Sequence, residues 1–483
     1  MARVLLSGGA YVARSLIAGA QRQVNLYSEI NKEESPTKHT LYPTPGLSLL
    51  STPPVGAGRG LFRASNNQLF AAVGSVLYAV SSSWVFTSLG SISSGMTTPV
   101  RMADNGVDML VIDGTSNGYT VSLATNTFGT LSSSAFYGSD CIGFLDTFFV
   151  LNKPGTGIFY SSLGLSTTFD PLYFAAKIGY ADRLIAIAVL HREVWLIGND
   201  TSEVWVNSGG VAFPFSIMTG AFIEHGCIAK YSLTKLGDAL FWLSQNKEGK
   251  AVVLQGAGYQ AKAISTAAVV NAMASYAVIS DAVGMALQFN GHQMYVLTFP
   301  TADVTWVYDV SSAEWFEWLY SDTDGTEHRH RAGAMAYAYG VNLALDWSTG
   351  ALYQLSLDSY TDTGTPIVRR RGFPHMMQDG KRVQYLQFIA DMEVGAAANT
   401  ADGAPAGVFV ADPPTLFLRW SDDRGASWSN PISTSFGTSG DYLESLQFQR
   451  LGMARDRVFE LFWSAPIKTA LNGAFIVTRS QAS

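Results

Sequence analysis

Along most of the chain, apolar residues come in short runs broken by Gly, Ser, Asn and Asp, without a sustained helical period. QLFAAVGSVLYAV, DMLVIDGTSNGYTVSL, TFFVLNKPGTGIFYSS, EVWLIGNDTSEVWV, ALFWLSQNKEGKAVVL and QMYVLTFPTADVTWVYDV share one grammar. Each is an apolar strand, a polar turn and a second strand rich in Val, Tyr, Trp or Phe, which is how hairpins read. The pairs begin near Leu69, Met109, Phe148, Val194, Ala239 and Met294, and a weaker one near Leu343 leads into Ala351-Leu352-Tyr353-Gln354-Leu355. Their spacing of roughly 40–55 residues is that of four-stranded propeller blades. Aromatic runs such as SSSWVFTSLG, VAFPFSIM and AEWFEWLY follow many hairpins and suit outer strands that pack on the next blade. The pattern predicts an all-β fold with a β-propeller over residues 53–360. Six blades is the leading count, and seven holds if the weaker repeat is included. A sandwich of stacked hairpins is the alternative, disfavoured by the regular recurrence.

Both ends break this rhythm. Within residues 1–52, VARSLIAGAQRQVNLYSEINKEES is the one stretch with helical content, and the Pro-rich LYPTPGLSLLSTPP reads as an extended arm rather than a core strand. After Tyr360, TDTGTPIVRRRGFPHMM reads as a turn and basic loop. The longer strands in RVQYLQFIADMEVG, PTLFLRWSDDRGASW and RDRVFELFWSAPIKTALNGAFIV then predict a β-sandwich-like platform domain over 361–483, to which the 1–52 arm contributes. Inside it, GAAANTADGAPAGVFVADPP is low in complexity and reads as a mobile loop. The opening MARVLLSGGAYVARSLIAGAQ lacks the unbroken apolar core of a secretory signal, because Gly8, Gly9 and Arg14 interrupt it, so it reads as mature protein.

Composition removes several function classes. With 47% apolar, 12% aromatic and only 14% charged residues, the chain has ample surface to bury and is not a disordered type. No run approaches the ~18 apolar residues of a membrane-spanning helix. Two cysteines, Cys141 and Cys227, make neither a disulfide framework nor a metal site and read as buried hydrophobes in a reduced compartment. The close-set His328-Arg329-His330 suits a polar loop better than a metal, and Asp322-x-Asp324-Gly325 lacks the remaining ligands of a calcium loop. No P-loop, nucleophile elbow or dinucleotide fingerprint is present, so no cofactor is expected. The net charge of −7 argues against an electrostatic grip on nucleic acid by the chain as a whole.

One motif points towards a known chemistry. Ser421-Asp422-Asp423-Arg424-Gly425-Ala426-Ser427-Trp428 matches the Asp-box, best known from sialidases and other propeller glycosidases. Its structural residues are Ser421, Asp423, Gly425 and Trp428. Asp423 can accept N–H bonds across a turn, Gly425 can take positive φ, and Trp428 can cover adjacent strands. That is a hairpin clasp, not a catalytic set. Glycoside hydrolysis needs paired carboxylates, or a Tyr nucleophile with its Glu and an arginine cluster. Arg369-Arg370-Arg371 alternate in direction on a strand and cannot converge, and Glu193 and Glu224-His225 have no partner acid fixed by a motif. Trp242, Trp306, Trp315 and Trp318 suit inter-blade packing better than a sugar platform. A propeller glycosidase or glycan-binding module remains the alternative to a non-enzymatic protein.

The stretch GHQMYVLTFP (291–300), continuing through ADVTWVYDVSSAEWFEW, resembles the tail nozzle or hub proteins of short-tailed bacteriophages, also known as packaged-DNA stabilisation proteins or tail accessory factors. Colinear similarities lie in residues 11–47, in HGCIAKYSL, in LYQLSLDSYTDTGTPIVRRR and in the final region with LRWSDDRGASW and RLGMARDRVFELFW. The resemblance implies a homohexameric ring below the portal and adaptor, each subunit with a propeller and a platform domain. It further implies that the ring retains and guides genomic DNA without sequence-specific contact, and bears sites for tailspikes or fibres and for a plug or needle. Localisation would be the virion, after assembly in the host cytoplasm. An acidic or neutral wall would let DNA slide.

Overall fold

The computed structural model describes residues 2–15, 19–32, 35, 37–53, 56–95, 97–378, 380–394, 414–437 and 440–480. The low-complexity stretch 395–413 lies outside them. Five of the six strong hairpins sit in four-stranded antiparallel sheets made of consecutive strands, and the sixth sits in four consecutive antiparallel strands that continue into a larger sheet. The first strands of these six blades are Gly58–Arg63, Arg101–Asp104, Ile142–Leu145, Leu184–Leu190, Thr234–Leu236 and Val283–Phe289. The weaker repeat near Leu343 counts as well. It supplies three strands of a seventh four-stranded unit that begins with Ala332–Ala338, and the fourth comes from the other end of the chain. Gly46–Ser51 pairs antiparallel with Leu352–Ser356, setting Leu47 opposite Leu355. First strands of successive units pack side by side, and Ala332–Ala338 returns to Gly58–Arg63, so the units close into a propeller.

Inner strands of neighbouring blades approach so closely that side chains are excluded at some positions. A Cβ on Gly143 of blade three would lie 2.7 Å from a methyl carbon of Val189 on the inner strand of blade four. Farther out, the apolar faces of adjacent sheets share their cores. Trp306 and Trp315 of blade six pack with Phe241 and Leu243 of blade five, while Trp318 joins Met294, Val296 and the Leu47 of the closing strand. Trp242 lies between blades four and five with Trp195. All four tryptophans singled out by sequence are buried packing elements.

The C-terminal strands form a sandwich. One sheet runs Leu446–Gln449, Val383–Met392, Leu471–Ser480, His39–Pro43, Leu26–Ile30. The facing sheet contains Gln23–Val24, Arg369–Gly372, Asp456–Trp463, Thr415–Ser421 and Ile432–Ser435. Period-two alternation sends Val383, Tyr385, Phe388, Ala390 and Ile476 into a core shared with Phe459, Leu461 and Trp463. The second sheet is not isolated. Through Gln23–Val24 it continues into Glu314–Glu317, the outer strand of blade six, so propeller and sandwich share a ten-stranded sheet.

Two expectations for the N-terminal region change. The described residues of the stretch with helical content form short strands, including Ala20–Gln21, Gln23–Val24 and Leu26–Ile30. Helix propensity gives way because the backbone finds ladder partners in other sheets: Asn25 N–H bonds the Glu317 carbonyl at 2.9 Å, and Gln23 and Val24 pair with Arg371 and Arg370. The single α-helix among the described residues is Ala267–Met273, with the Thr266 side chain accepting from Val269 N–H. Likewise the Pro-rich segment is not merely an extended arm. Pro43, Pro45 and Pro53 flank or end strands rather than interrupting them, and Leu41 and Leu47 are fully buried.

Candidate functional site

The three consecutive arginines sit at the junction of the two domains, on the strand Arg369–Gly372. Strand alternation divides them. Arg370 joins a chain of opposite charges: Glu317–Arg22 at 2.6 Å, Arg22–Glu327 at 3.0 Å, Glu327–Arg370 at 3.1 Å, Arg370–Glu460 at 2.9 Å and Glu460–Arg419 at 2.5 Å. The chain runs from blade six, through the N-terminal region, to the sandwich. Burial opposes ionisation of Glu327, but the Arg22 and Arg370 guanidiniums outweigh it and hold the carboxyl below its usual range. Arg369 and Arg371 point the other way and are fully buried. Arg371 donates to the carbonyls of Leu6 at 2.7 Å and Gly9 at 2.8 Å and to Gln23 Oε1 at 2.7 Å. Arg369 donates to the carbonyls of Tyr360, Ile367 and Ala465. Burial lowers both guanidiniums to about 10, which leaves them charged at neutral pH.

Asn25 is a second joint that sequence reasoning passed over. At φ +55° it breaks the strand, and its amide bridges both domains. Nδ2 donates to the carbonyls of Leu319 at 3.0 Å and Val368 at 2.8 Å, and Oδ1 accepts from Leu319 N–H at 2.9 Å. An Asn between two apolar strand residues was the available signal; its distant partners are not encoded locally.

The Asp-box forms the turn after Thr415–Ser421. Asp423 Oδ1 accepts from the Ser421 hydroxyl at 2.7 Å and Ser427 N–H at 2.8 Å, and Oδ2 accepts from the Ser427 hydroxyl at 2.6 Å. Ser421 Oγ in turn accepts from Gly425 N–H at 2.7 Å, and Arg424 and Gly425 take φ of +66° and +96°. The Arg419 guanidinium lies 4.6 Å from the Trp428 ring centre, which ties the box to the ion-pair chain through Glu460. Bonds from Ser427 and Ser421 hold the Asp423 carboxyl down to about 2. Because this folded value lies below the ordinary one, its stabilising contribution is complete above about pH 4 and disappears as pH falls through about 2. The stability difference between the parent and Asp423→Ala should therefore be constant from pH 5 to 8 and close between pH 4 and 2, as thermal melts across that range would show.

The propeller bore is bridged at one mouth. The segment 229–232, just before blade five, reaches across the axis: Lys230 pairs with Asp140 at the entry to blade three (2.6 Å), and Arg101 of blade two donates to the Tyr231 carbonyl at 2.9 Å. The Tyr231 ring is buried between the Arg101 and Lys230 cations, and Tyr295 of blade six donates to the Ser232 carbonyl at 2.8 Å. A cavity of about 240 Å³ remains along the inner strands, lined in part by Leu61, Met102, Ala286 and Met335.

The remaining candidates are structural. His328 is held between Asp303 at 2.7 Å and Asp322 at 3.3 Å, whereas His330 is buried on Trp318 and pushed down to about 3 by desolvation. Asp322 and Asp324 accept N–H bonds within their own turn. Glu193 accepts from the Tyr259 hydroxyl at 2.5 Å, a Tyr–Glu pair of the kind a sialidase would use. That bond raises the Tyr259 pKa, and the neighbouring Arg192 is engaged with Asp146. Cys141 and Cys227 are buried thiols, both pushed upwards by desolvation, Cys227 to about 12.

The geometry is that of a rigid scaffold, and the comparisons agree. A family model described as the β-propeller of bacteriophage P22 Gp10 matches residues 4–360, and one described as its β-sandwich matches 369–479. The chain belongs to the bacteriophage P22 Gp10 family. As a Gp10-family member it is a structural protein of the phage tail, carried in the virion. No curated protein matches the chain. Among solved structures, it is similar to an S. cerevisiae complex of a Dbp5 variant with Nup159, a Gle1 variant, IP6 and ADP, at 12% identity and a TM-score of 0.41, covering 69% of this chain and 99% of that one. It is also similar to the N-terminal domain of Nup159 (11%, TM-score 0.38, 70% and 99%) and to the computationally designed protein Ika8 (13%, TM-score 0.37, 70% and 100%). Scores this low carry no functional weight beside the Gp10 match.

Proposed function

We propose that six copies of this chain form the nozzle ring at the end of a short phage tail, without enzymatic activity or cofactor. In this reading the ring prolongs the portal–adaptor channel, retains packaged DNA, guides its ejection, and offers attachment sites for tailspikes or fibres and for a plug or needle. Assembly would take place in the host cytoplasm. The observation that carries the reading is the colinear match to both Gp10 domains over nearly the whole chain. The bridged bore supports it: with the Tyr231 segment tied across one mouth of the propeller, a conduit between subunits is favoured over one through a single propeller. The shared ten-stranded sheet and the ion-pair chain supply the stiffness such a ring needs.

Mixing the purified chain with its portal–adaptor complex should yield six-fold rings in negative-stain images, while sialoside turnover stays at the buffer rate. Failure to decorate the adaptor, or turnover abolished by Glu193→Gln, would replace this reading with the glycosidase one.

A further inference from the structure

The chain is acidic as a whole, yet one solvent face of the sandwich is not. The register of the sheet containing Val383–Met392 defines that face: with Val383, Tyr385, Phe388 and Ile476 turned into the core, the alternate positions point outwards. Arg479 lies opposite Gln384, which lies opposite Met453, and Gln449 lies opposite Gln387, which lies opposite Val477. Arg382 flanks the start of Val383–Met392, and Arg450 follows Gln449 in the turn, where its N–H bonds the Leu386 carbonyl. Arg382, Arg450 and Arg479 are exposed, and among the described residues none is paired with a carboxylate. The strands Leu446–Gln449 and Leu471–Ser480 contain no acidic residue. On Val383–Met392 the one acid, Asp391, stands at the opposite end, opposite Gly473.

We propose that this Arg/Gln face is a contact surface for the phosphate backbone of duplex DNA. The donors are of the right kind. Planar guanidiniums fork onto phosphate oxygens, and the neutral amides of Gln384 and Gln449 add donors without adding acceptor charge. The donor set is built on paired strands rather than on a loop, so its spacing is fixed at about 4.8 Å between strands and about 6.7 Å between alternate residues. A protein partner is a poorer fit. Met453 and Leu386 are exposed here, but interface cores centre on exposed aromatic anchors, and the one ring at an outward position of these described strands, Phe475, is already half-buried. Contacts limited to phosphate and few in number give weak, sequence-independent binding that holds DNA against a wall while permitting movement along it. The assignment rests on the nozzle reading and deepens it by naming the face that meets DNA. It also amends the expectation of a uniformly acidic or neutral wall.

Fluorescence anisotropy of the full chain with a labelled duplex of about 30 base pairs, titrated with salt, tests it. The parent should bind at low salt, and Arg382→Gln/Arg479→Gln should reduce the slope of log K against log salt by about 2, since each phosphate contact contributes ~0.9. Lys262→Gln, an exposed cation on blade five, should leave that slope unchanged. Absence of binding, an unaltered slope in the double variant, or poly-L-glutamate competing as well as DNA would overturn the proposal. Ring formation is read separately by microscopy, so failure here is distinguishable from failure of the nozzle reading.

Discussion

Replacing Arg371 with Ala is expected to release the N-terminal region from the domain junction at a cost of about 3–5 kcal/mol. The side chain is fully buried, and its bonds go to two backbone carbonyls of the 6–9 segment and to Gln23 Oε1. Truncation leaves those acceptors dry and unpaired, each with a desolvation penalty of about 1–3 kcal/mol. Arg371→Lys retains charge but not the fork, and should recover only part of the loss. A chain of two domains does not melt in one step, so the sharper readout is local. Hydrogen exchange at residues 6–12 and protease cleavage in that segment should accelerate by at least a hundredfold in Arg371→Ala, with blades two to four unchanged. Unchanged exchange in the 6–12 segment would show that the arm is held by its strand pairings alone.

Leu47→Asp should have the larger global effect. Leu47 closes the ring from the far end of the sequence, fully buried among Leu355, Trp318 and Met294. A carboxylate there has no partner, and the loss should exceed about 4 kcal/mol, enough to unlatch blade seven and expose its edge to aggregation. Leu49→Asp, on the same strand but 54% exposed, should stay within about 0.5 kcal/mol of the parent. Soluble yield and thermal midpoint of the pair separate the two outcomes. Equal behaviour would mean that the closing strand does not latch the propeller.

Why the blade hairpins were legible and the arm was not follows from where their partners lie. In EVWLIGNDTSEVWV the turn and both strands are contiguous, and Glu193 faces Val206 across about a dozen residues, so local pattern specifies the pairing. The residues Ser421, Asp423 and Gly425 likewise bond within one turn, and their roles can be read from the octapeptide. Leu47, Asn25 and Arg371 are different. Their partners are some 300 residues away, and period and propensity carry no information about such contacts. The same blindness made the seventh repeat look weak and gave the 12–35 stretch a helical look that sheet pairing overrides in its described residues. The segment with RRR read as a turn and basic loop because three adjacent cations rarely enter a core; strand alternation buries Arg369 and Arg371 against backbone carbonyls.

The nozzle reading is tested most directly by a cryo-electron microscopy map of the tail assembled with its genome. Six copies around one axis are expected, with DNA density in the lumen between them and each propeller bore bridged at Tyr231. DNA threading a propeller bore, or this chain lying outside any ring, would contradict it.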